Sequence, residues 1–280
     1  MPATLLGKPV AEEIYRKVLL DISLLPFVPK LVVVLVGEDP ASQTYVRSKE
    51  KKCLDLGMHG ETRVLPASVS EDELVGVVRA LNADPSVTGI LVQLPLPAGI
   101  NKKRVLREIS PLKDVDGLHP ENAGLLFLGE PRLVPCTPAG VMELLRFYQI
   151  ATAGRRAVVL GRSEIVGRPM AQMLSMADAT VTLCHSKTVN LAEHTRNADI
   201  VVAAIGKPKF LTKEMVSPGC VVIDVGIHRT PAGLCGDVDA ESVDGICKAF
   251  TPVPGGVGPM TIAMLMKNVL LAATLQSKGR

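Results

Sequence analysis

Short runs of β-branched and other apolar residues recur along the chain, at positions 31–36, 89–94, 157–160, 180–183, 200–205 and 221–225. Each is apolar on both faces rather than alternating, so a strand formed there must be covered from both sides. Most are followed by helical periodicity, and strands buried on both faces between helices are parallel strands. An α/β architecture is therefore expected. At 280 residues the chain is long enough for two domains of ordinary size. The proline-rich stretch EPRLVPCTP, positions 130–138, lies between two series of runs and is the expected junction. Beyond it, Thr137 is expected to cap and Pro138 to open a helix through Val141, Leu144 and Leu145. After Val225 the strand series is expected to stop. There TPVPGGVGPMT, positions 251–261, forms a loop of low entropy and little bulk that lies close to ligand or backbone.

Composition narrows the function classes. Lys plus Arg (31) nearly balances Asp plus Glu (28), and the cations are scattered, which points away from nucleic acid and from an anionic membrane. The six cysteines show no Cys-x-x-Cys pair and no histidine at zinc-ligand spacing. Reduced thiols in a cytosolic, metal-free protein are expected. The N-terminal region, with Glu12 and Glu13, has no charged-then-apolar signal pattern. The apolar run at 262–275 is shorter than the roughly 20 residues a bilayer takes and contains Lys267, so it reads as a buried helix.

Two stretches carry chemistry. AVVLGRSEIVGRPM, positions 157–170, is a strand, a glycine turn and a helix start. It departs from Gly-x-Gly-x-x-Gly, with Ser163 in place of the second glycine and Gly167 one residue late. Such a turn aims main-chain N–H groups and the helix dipole at an anion, commonly phosphate. The next strand, ATVTLCHSKT, ends without the carboxylate that holds a ribose 2′-hydroxyl; it has His185, Ser186 and Lys187 instead, with Arg162 in the first turn. Positive donors without a carboxylate suit a 2′-phosphate, which predicts NADP over NAD.

The second is Asp39-Pro40 to Gly57, which reads as a helix over 40–56. At about 100° per residue, Tyr45, Val46, Lys49, Cys53 and Leu56 share one arc. Lys49 sits in the apolar stripe, where desolvation lowers an amine's pKa toward proton exchange near neutrality. On these residues alone a snorkelling lysine remains the alternative. Gln93, inside GILVQLPLP, needs a partner if buried. Asp114 and Asp116 lie in the loop PLKDVDGLHP, where one can be an ordinary turn residue. Tyr45-x-x-x-Lys49 also resembles the pair of short-chain dehydrogenases, but there the nucleotide loop precedes the pair, and the reversed order excludes that family.

Taken together in this order, YVRSK, GILVQLPLP, KDVDGLHP, PCTPAG, GRSEIVGRPM, VIDVGI and PGGVGPMT resemble the bifunctional methylenetetrahydrofolate dehydrogenase/methenyltetrahydrofolate cyclohydrolase family over essentially the whole chain. The resemblance implies an α/β catalytic, folate-binding domain at 1–136, completed by a final helix at 258–280. A Rossmann-type NADP-binding domain with a parallel sheet would occupy 137–257, with a cleft between the two. It implies a cytoplasmic homodimer of one-carbon metabolism, serving purine, methionine and histidine biosynthesis, that takes a small-molecule folate. Cofactor contacts carry over onto Gly161, Arg162, Ser163, Ser186 and Ile227. Tyr45, Lys49, Gln93 and Asp116 match active-site positions, and Gly255 and Gly256 a substrate-contacting segment. Leu94-Pro95 is a candidate cis peptide.

Overall fold

The computed structural model describes residues 3–231 and 233–277. Each apolar run becomes a strand, and all but the mostly exposed one at 180–183 are buried on both faces. In chain order the elements up to the junction are β1 (Ala3–Thr4), α1 (Gly7–Ile22), β2 (Lys30–Val36), α2 (Pro40–Asp55), β3 (His59–Leu65), α3 (Glu71–Ala83), β4 (Gly89–Val92), α4 (Lys102–Glu108) and α5 (Pro120–Leu128). Beyond it come α6 (Cys136–Phe147), β5 (Arg156–Leu160), α7 (Gly167–Met176), β6 (Thr180–Cys184), α8 (Leu191–Arg196), β7 (Ile200–Ala203) and β8 (Val221–Asp224). The chain continues through β9 (His228–Thr230), β10 (Gly233–Cys235), α9 (Ala240–Val243), β11 (Ala249–Phe250) and α10 (Val257–Ser277).

The chain forms two compact units, one from residues up to Glu13 with Pro135–Met264, the other from Ile14–Val134 with Leu265 onward. The second holds a parallel sheet in the order β3-β2-β4. Its core joins Val32, Val34 and Ile90 to Leu74, Val78 and Leu81 of α3. The first holds a six-stranded parallel sheet in the order β1-β11-β8-β7-β5-β6, with β9 and β10 as a separate antiparallel pair. The strand order reverses between β5 and β7, which places a topological switch point at their carboxyl ends.

The division falls inside the expected proline-rich stretch, between Val134 and Pro135. The N-terminal segment packs with the six-stranded unit because β1 pairs in register with β11 (Ala3 with Ala249, Thr4 with Phe250) and the Leu6 main chain bonds both ways to the Tyr148 hydroxyl. The terminal helix is likewise divided, Val257 to Met264 falling in that unit, and its expected positions 278–280 lie outside the described residues. At 21 residues α10 is long and apolar enough to cross a membrane, contrary to the expectation from length; burial of Met260, Ala263, Met266, Val269 and Ala273 makes it a core helix. The strand series also does not stop after Val225. The missed strands β9, β10 and β11 have only two or three residues, and β3 (HGETRVL) is half polar because it is an edge strand bonded to β2 alone.

Local chemistry sets the helix ends. Asp39 accepts the Ser42 N–H at 2.8 Å, Pro40 opens α2, and Gly57 beyond it has φ +75°. Ser70 and Glu73 form a reciprocal capping box on α3. At the other end of α3, the buried Lys113 ammonium donates to the carbonyls of Leu81, Asn82 and Asp84 at 3.1, 2.8 and 2.7 Å. Those carbonyls lie at the end of α3, where a helix leaves acceptors unmet and the dipole favours a cation. The expected Thr137 cap is not made: α6 starts at Cys136 after Pro135, and the Thr137 hydroxyl instead pairs with that of Thr261 at 3.0 Å. Lys113→Met leaves three carbonyls without their donor and is expected to cost about 2–3 kcal/mol, read as a lower urea midpoint at unchanged slope.

Candidate active site

The turn after β5 answers the irregular glycine spacing. Gly161 has φ +109°, and a Cβ there would overlap the Ala204 carbonyl oxygen; a Cβ on Gly167 would overlap the Gly161 carbonyl. Both glycines are therefore demanded by main chain packed on main chain. Ser163 does what a second glycine could not: its Oγ accepts the N–H groups of Val166 and Gly167 at 3.2 Å and ties the turn to the start of α7. The main-chain N–H groups of Arg162 and Ser163 have no partner among the described residues and remain as anion donors.

β5 and β6 pair with Leu160 opposite Cys184, and Gly161 N–H donates to the Cys184 carbonyl at 2.9 Å. The turns at 161–163 and 185–187 thus leave the sheet side by side. His185 stiffens the second turn by accepting the Lys187 N–H on Nδ1 and donating its own N–H to Thr188 Oγ1. Ser186 and Lys187 are exposed there, and among the described residues no acidic group pairs with Lys187 or Arg162. A glycine cradle, free N–H donors and unneutralised cations on adjoining turns fit a phosphorylated dinucleotide.

Ile227, half-exposed, follows β8, with its Cδ1 3.9 Å from where a Cβ on Gly258 would sit. The 251–258 loop is fixed by main chain: Gly7 N–H donates to the Gly255 carbonyl at 2.8 Å, Gly255 has φ +106°, and the Val253-Pro254 peptide is cis. A cavity of about 350 Å³ in the same unit lies at the opposite, amino-terminal ends of the strands, beside Ala3, Arg155, Asp199 and Lys248, and touches none of the residues assigned above.

In the three-stranded unit α2 places Lys49 among buried Val46, Cys53 and Leu56, itself only 9% exposed, whereas Tyr45 on the same arc is 45% exposed. The Lys49 Nζ donates to Gln93 Oε1 at 2.9 Å. Gln93 is held in turn, its N–H on the Val34 carbonyl at 2.9 Å and its Nε2 on the Leu94 carbonyl at 2.7 Å, just before the cis Leu94-Pro95 peptide. The two aspartates separate by partner. Asp114 is buried and accepts from Leu118 N–H, His119 N–H and Asn122 Nδ2, and burial holds its carboxyl above the usual range. Asp116 is half-buried and its carboxylate has no partner among the described residues. Its loop is pinned by Asn268, buried in α10, whose Nδ2 donates to the carbonyls of Val115 and Val134 at 2.9 and 2.8 Å.

Sequence reasoning passed over Asn268 and the carboxylates of Asp224 and Asp237. A lone asparagine in an apolar helix and an acid closing an apolar strand were the available signals.

A parallel sheet with a switch point, a phosphate-type turn on it and a buried lysine–glutamine pair on a second α/β unit define a two-unit, dinucleotide-dependent α/β enzyme class. Residues 5–116 match the family model described as the tetrahydrofolate dehydrogenase/cyclohydrolase catalytic domain, and residues 135–277 the NAD(P)-binding domain of the same family. The chain belongs to the tetrahydrofolate dehydrogenase/cyclohydrolase family. It is 56% identical over 268 residues to the bifunctional protein FolD of Acidiphilium cryptum, covering 95% of this chain and 96% of that one. The crystal structure of the bifunctional enzyme FolD from Campylobacter jejuni matches with TM-score 0.96 and 46% identity over 99% and 100% of the two chains. A Trypanosoma brucei methylenetetrahydrofolate dehydrogenase-cyclohydrolase, solved with NADP cofactor and an inhibitor, matches with TM-score 0.94 and 39% identity over 99% of both.

One titration follows from the six-stranded unit. Burial pushes the Asp224 carboxyl from 3.8 up to about 6, although N–H groups of Val238, Asp237 and Gly226 pull it down. Its folded value lies above its unfolded one, so its favourable contribution is full below about pH 4 and is lost as pH rises through about 6. A carboxyl carbon NMR titration should place the Asp224 midpoint near pH 6.

Proposed function

We infer that this chain oxidises 5,10-methylenetetrahydrofolate to 5,10-methenyltetrahydrofolate with NADP+ and then hydrolyses it to 10-formyltetrahydrofolate, a bifunctional dehydrogenase and cyclohydrolase of one-carbon metabolism. Family membership over both units carries this reading. The observation in the structure that best supports the hydrolytic half is the buried Lys49 held by Gln93.

NADP+, when bound, supplies the hydride acceptor. The protein's share of that step is positional, because the two folate nitrogens stabilise the cation left on the one-carbon bridge and no protein base is required. Gly161, Arg162 and Ser163 would hold the phosphates, with Arg162 and Ser186 toward the 2′-phosphate, and Ile227 would pack against the cofactor. Asp116, its carboxylate still unused, would accept two N–H bonds from the pterin's amino edge and fix its orientation. Exposed Tyr45 would cover the aminobenzoate ring, and the Gly255-Gly256 main chain would approach the substrate closely.

Hydrolysis needs a proton moved. Water adds to the methenyl carbon and loses one proton to give the carbinol; the carbon–N5 bond then breaks as N5 takes up a proton and the carbinol O–H gives one up, leaving the formyl group on N10. Lys49 is placed to handle that proton and Gln93 to fix its side chain.

We extend the reading to a cytoplasmic homodimer feeding purine, methionine and histidine biosynthesis, with neither membrane nor nucleic acid as partner. The exposed edge strand β6, with Thr180, Thr182 and Leu183 open to solvent, favours self-association. Six cysteines outside any disulfide favour a reducing compartment, and near-balanced charge speaks against polyanions.

Two absorbance assays test the assignment, one following NADPH formation and the other loss of the methenyl compound. Lys49→Met should lower the cyclohydrolase rate by about a hundredfold or more while NADP binding persists. Full hydrolysis by that variant would remove Lys49 from the step. Asp116→Ala should raise the folate KM about tenfold or more in both reactions. An effect on only one of them would rule out a shared pterin anchor.

A further inference from the structure

Asp237 is fully buried, and nothing above employs it. Its Oδ2 accepts the N–H groups of Ile205 and Gly206 at 2.7 and 3.0 Å; its Oδ1 accepts the Lys207 N–H at 2.9 Å and His228 Nε2 at 2.7 Å. A carboxylate only accepts, so Nε2 carries the hydrogen. One anion thereby holds two turns, 205–207 after β7 and the one after β8 that ends at His228 and carries Ile227.

The anion is itself fixed. Asp237 N–H donates to Asp224 Oδ1 and Val238 N–H to Asp224 Oδ2, each at 2.9 Å. A Cβ on Gly226 would meet the Asp237 carboxylate at 2.5 Å, and one on Gly236 would overlap that of Asp224, so glycine main chain packs directly against each acid. Four charge-assisted bonds in a site this closed define the turns far more sharply than hairpin propensity does.

Position along the sheet says which part of the cofactor these turns serve. The order runs β6-β5-β7-β8. The Ser186 turn, suited to the adenosine 2′-phosphate, lies after β6, and the phosphate turn after β5. A dinucleotide laid across the carboxyl edge therefore brings its nicotinamide end over the turns after β7 and β8. We propose that Asp237 and His228 are positioning residues for the nicotinamide half of NADP, Asp237 fixing the 205–207 turn directly and the Ile227 turn through His228. This rests on the NADP-dependent function argued above.

Asp237→Asn puts an amide N–H among four donors and can unfold the unit, so the test is made at the partly exposed His228. Binding of NADP+ and of adenosine 2′,5′-bisphosphate, which lacks the nicotinamide half, is measured by calorimetry on the full chain. His228→Ala should weaken NADP+ about tenfold, and His228→Gln, whose amide can still donate to Asp237, by no more than about threefold. The bisphosphate should bind all three proteins alike. Equal weakening of both ligands, or no weakening of NADP+ in His228→Ala, overturns the positioning role while leaving the functional reading intact. Wild-type protein that binds neither ligand overturns both.

Discussion

Main chain packed directly on main chain at the carboxyl edge of the six-stranded sheet is the constraint on which the nucleotide site depends. Gly161 rests on the Ala204 carbonyl, Gly167 on the Gly161 carbonyl, and Gly226 and Gly236 on buried carboxylates. Each position forbids a side chain, so the turns after β5, β7 and β8 are locked to one another without any apolar core of their own. That economy of bulk leaves a shallow, donor-rich rim where a pyrophosphate can approach the backbone. It also accounts for Ser163: with its hydroxyl holding the Val166 and Gly167 N–H groups, the spacing to the next glycine can lengthen by one residue.

Paired residues of one kind separate structure from chemistry. Asp114 and Asp116 stand two residues apart, yet one is saturated by two main-chain donors and an asparagine and the other has no protein partner among the described residues. Lys49 and Lys113 are both buried. Lys113 spends its three hydrogens on carbonyls at the end of a helix, an arrangement that a rigid cap needs and a proton carrier does not. Lys49 meets the oxygen of an amide side chain that is tied to the strand end beside it. The two buried lysines thus differ in the kind of oxygen that receives the ammonium, main-chain carbonyls at a helix end for one and a side-chain amide for the other.

Much of the architecture was legible because a parallel strand buried on both faces has an unmistakable composition. The runs at 31–36, 157–160 and 221–225 all became strands, within a residue or so of the expected limits. The helix of Lys49 was legible through its ends, Asp39-Pro40 and Gly57, and through the arc that Lys49 shares with Val46 and Cys53. What escaped was whatever depended on distant partners. β1 and β11 are too short to show a period and exist through distant partners, β1 on β11 and β11 also on β8. β3 has too many polar residues to be read alone. The Thr137 hydroxyl turned from its own helix to Thr261, 124 residues away. Asp237 looks like a loop acid until three main-chain N–H groups are seen to converge on it.

The pairing of β1 with β11 sets a timetable for synthesis. Ala3 and Thr4 are made long before Ala249 and Phe250, the strand that meets their hydrogen-bonding edge, and Gly7 waits for Gly255. The three-stranded sheet, closed between residues 30 and 92, has all its strands long before. Vectorial folding thus leaves residues 3–7 without their docking strand until residues 249–255 have been made, a long-range closure that comes late in the topology.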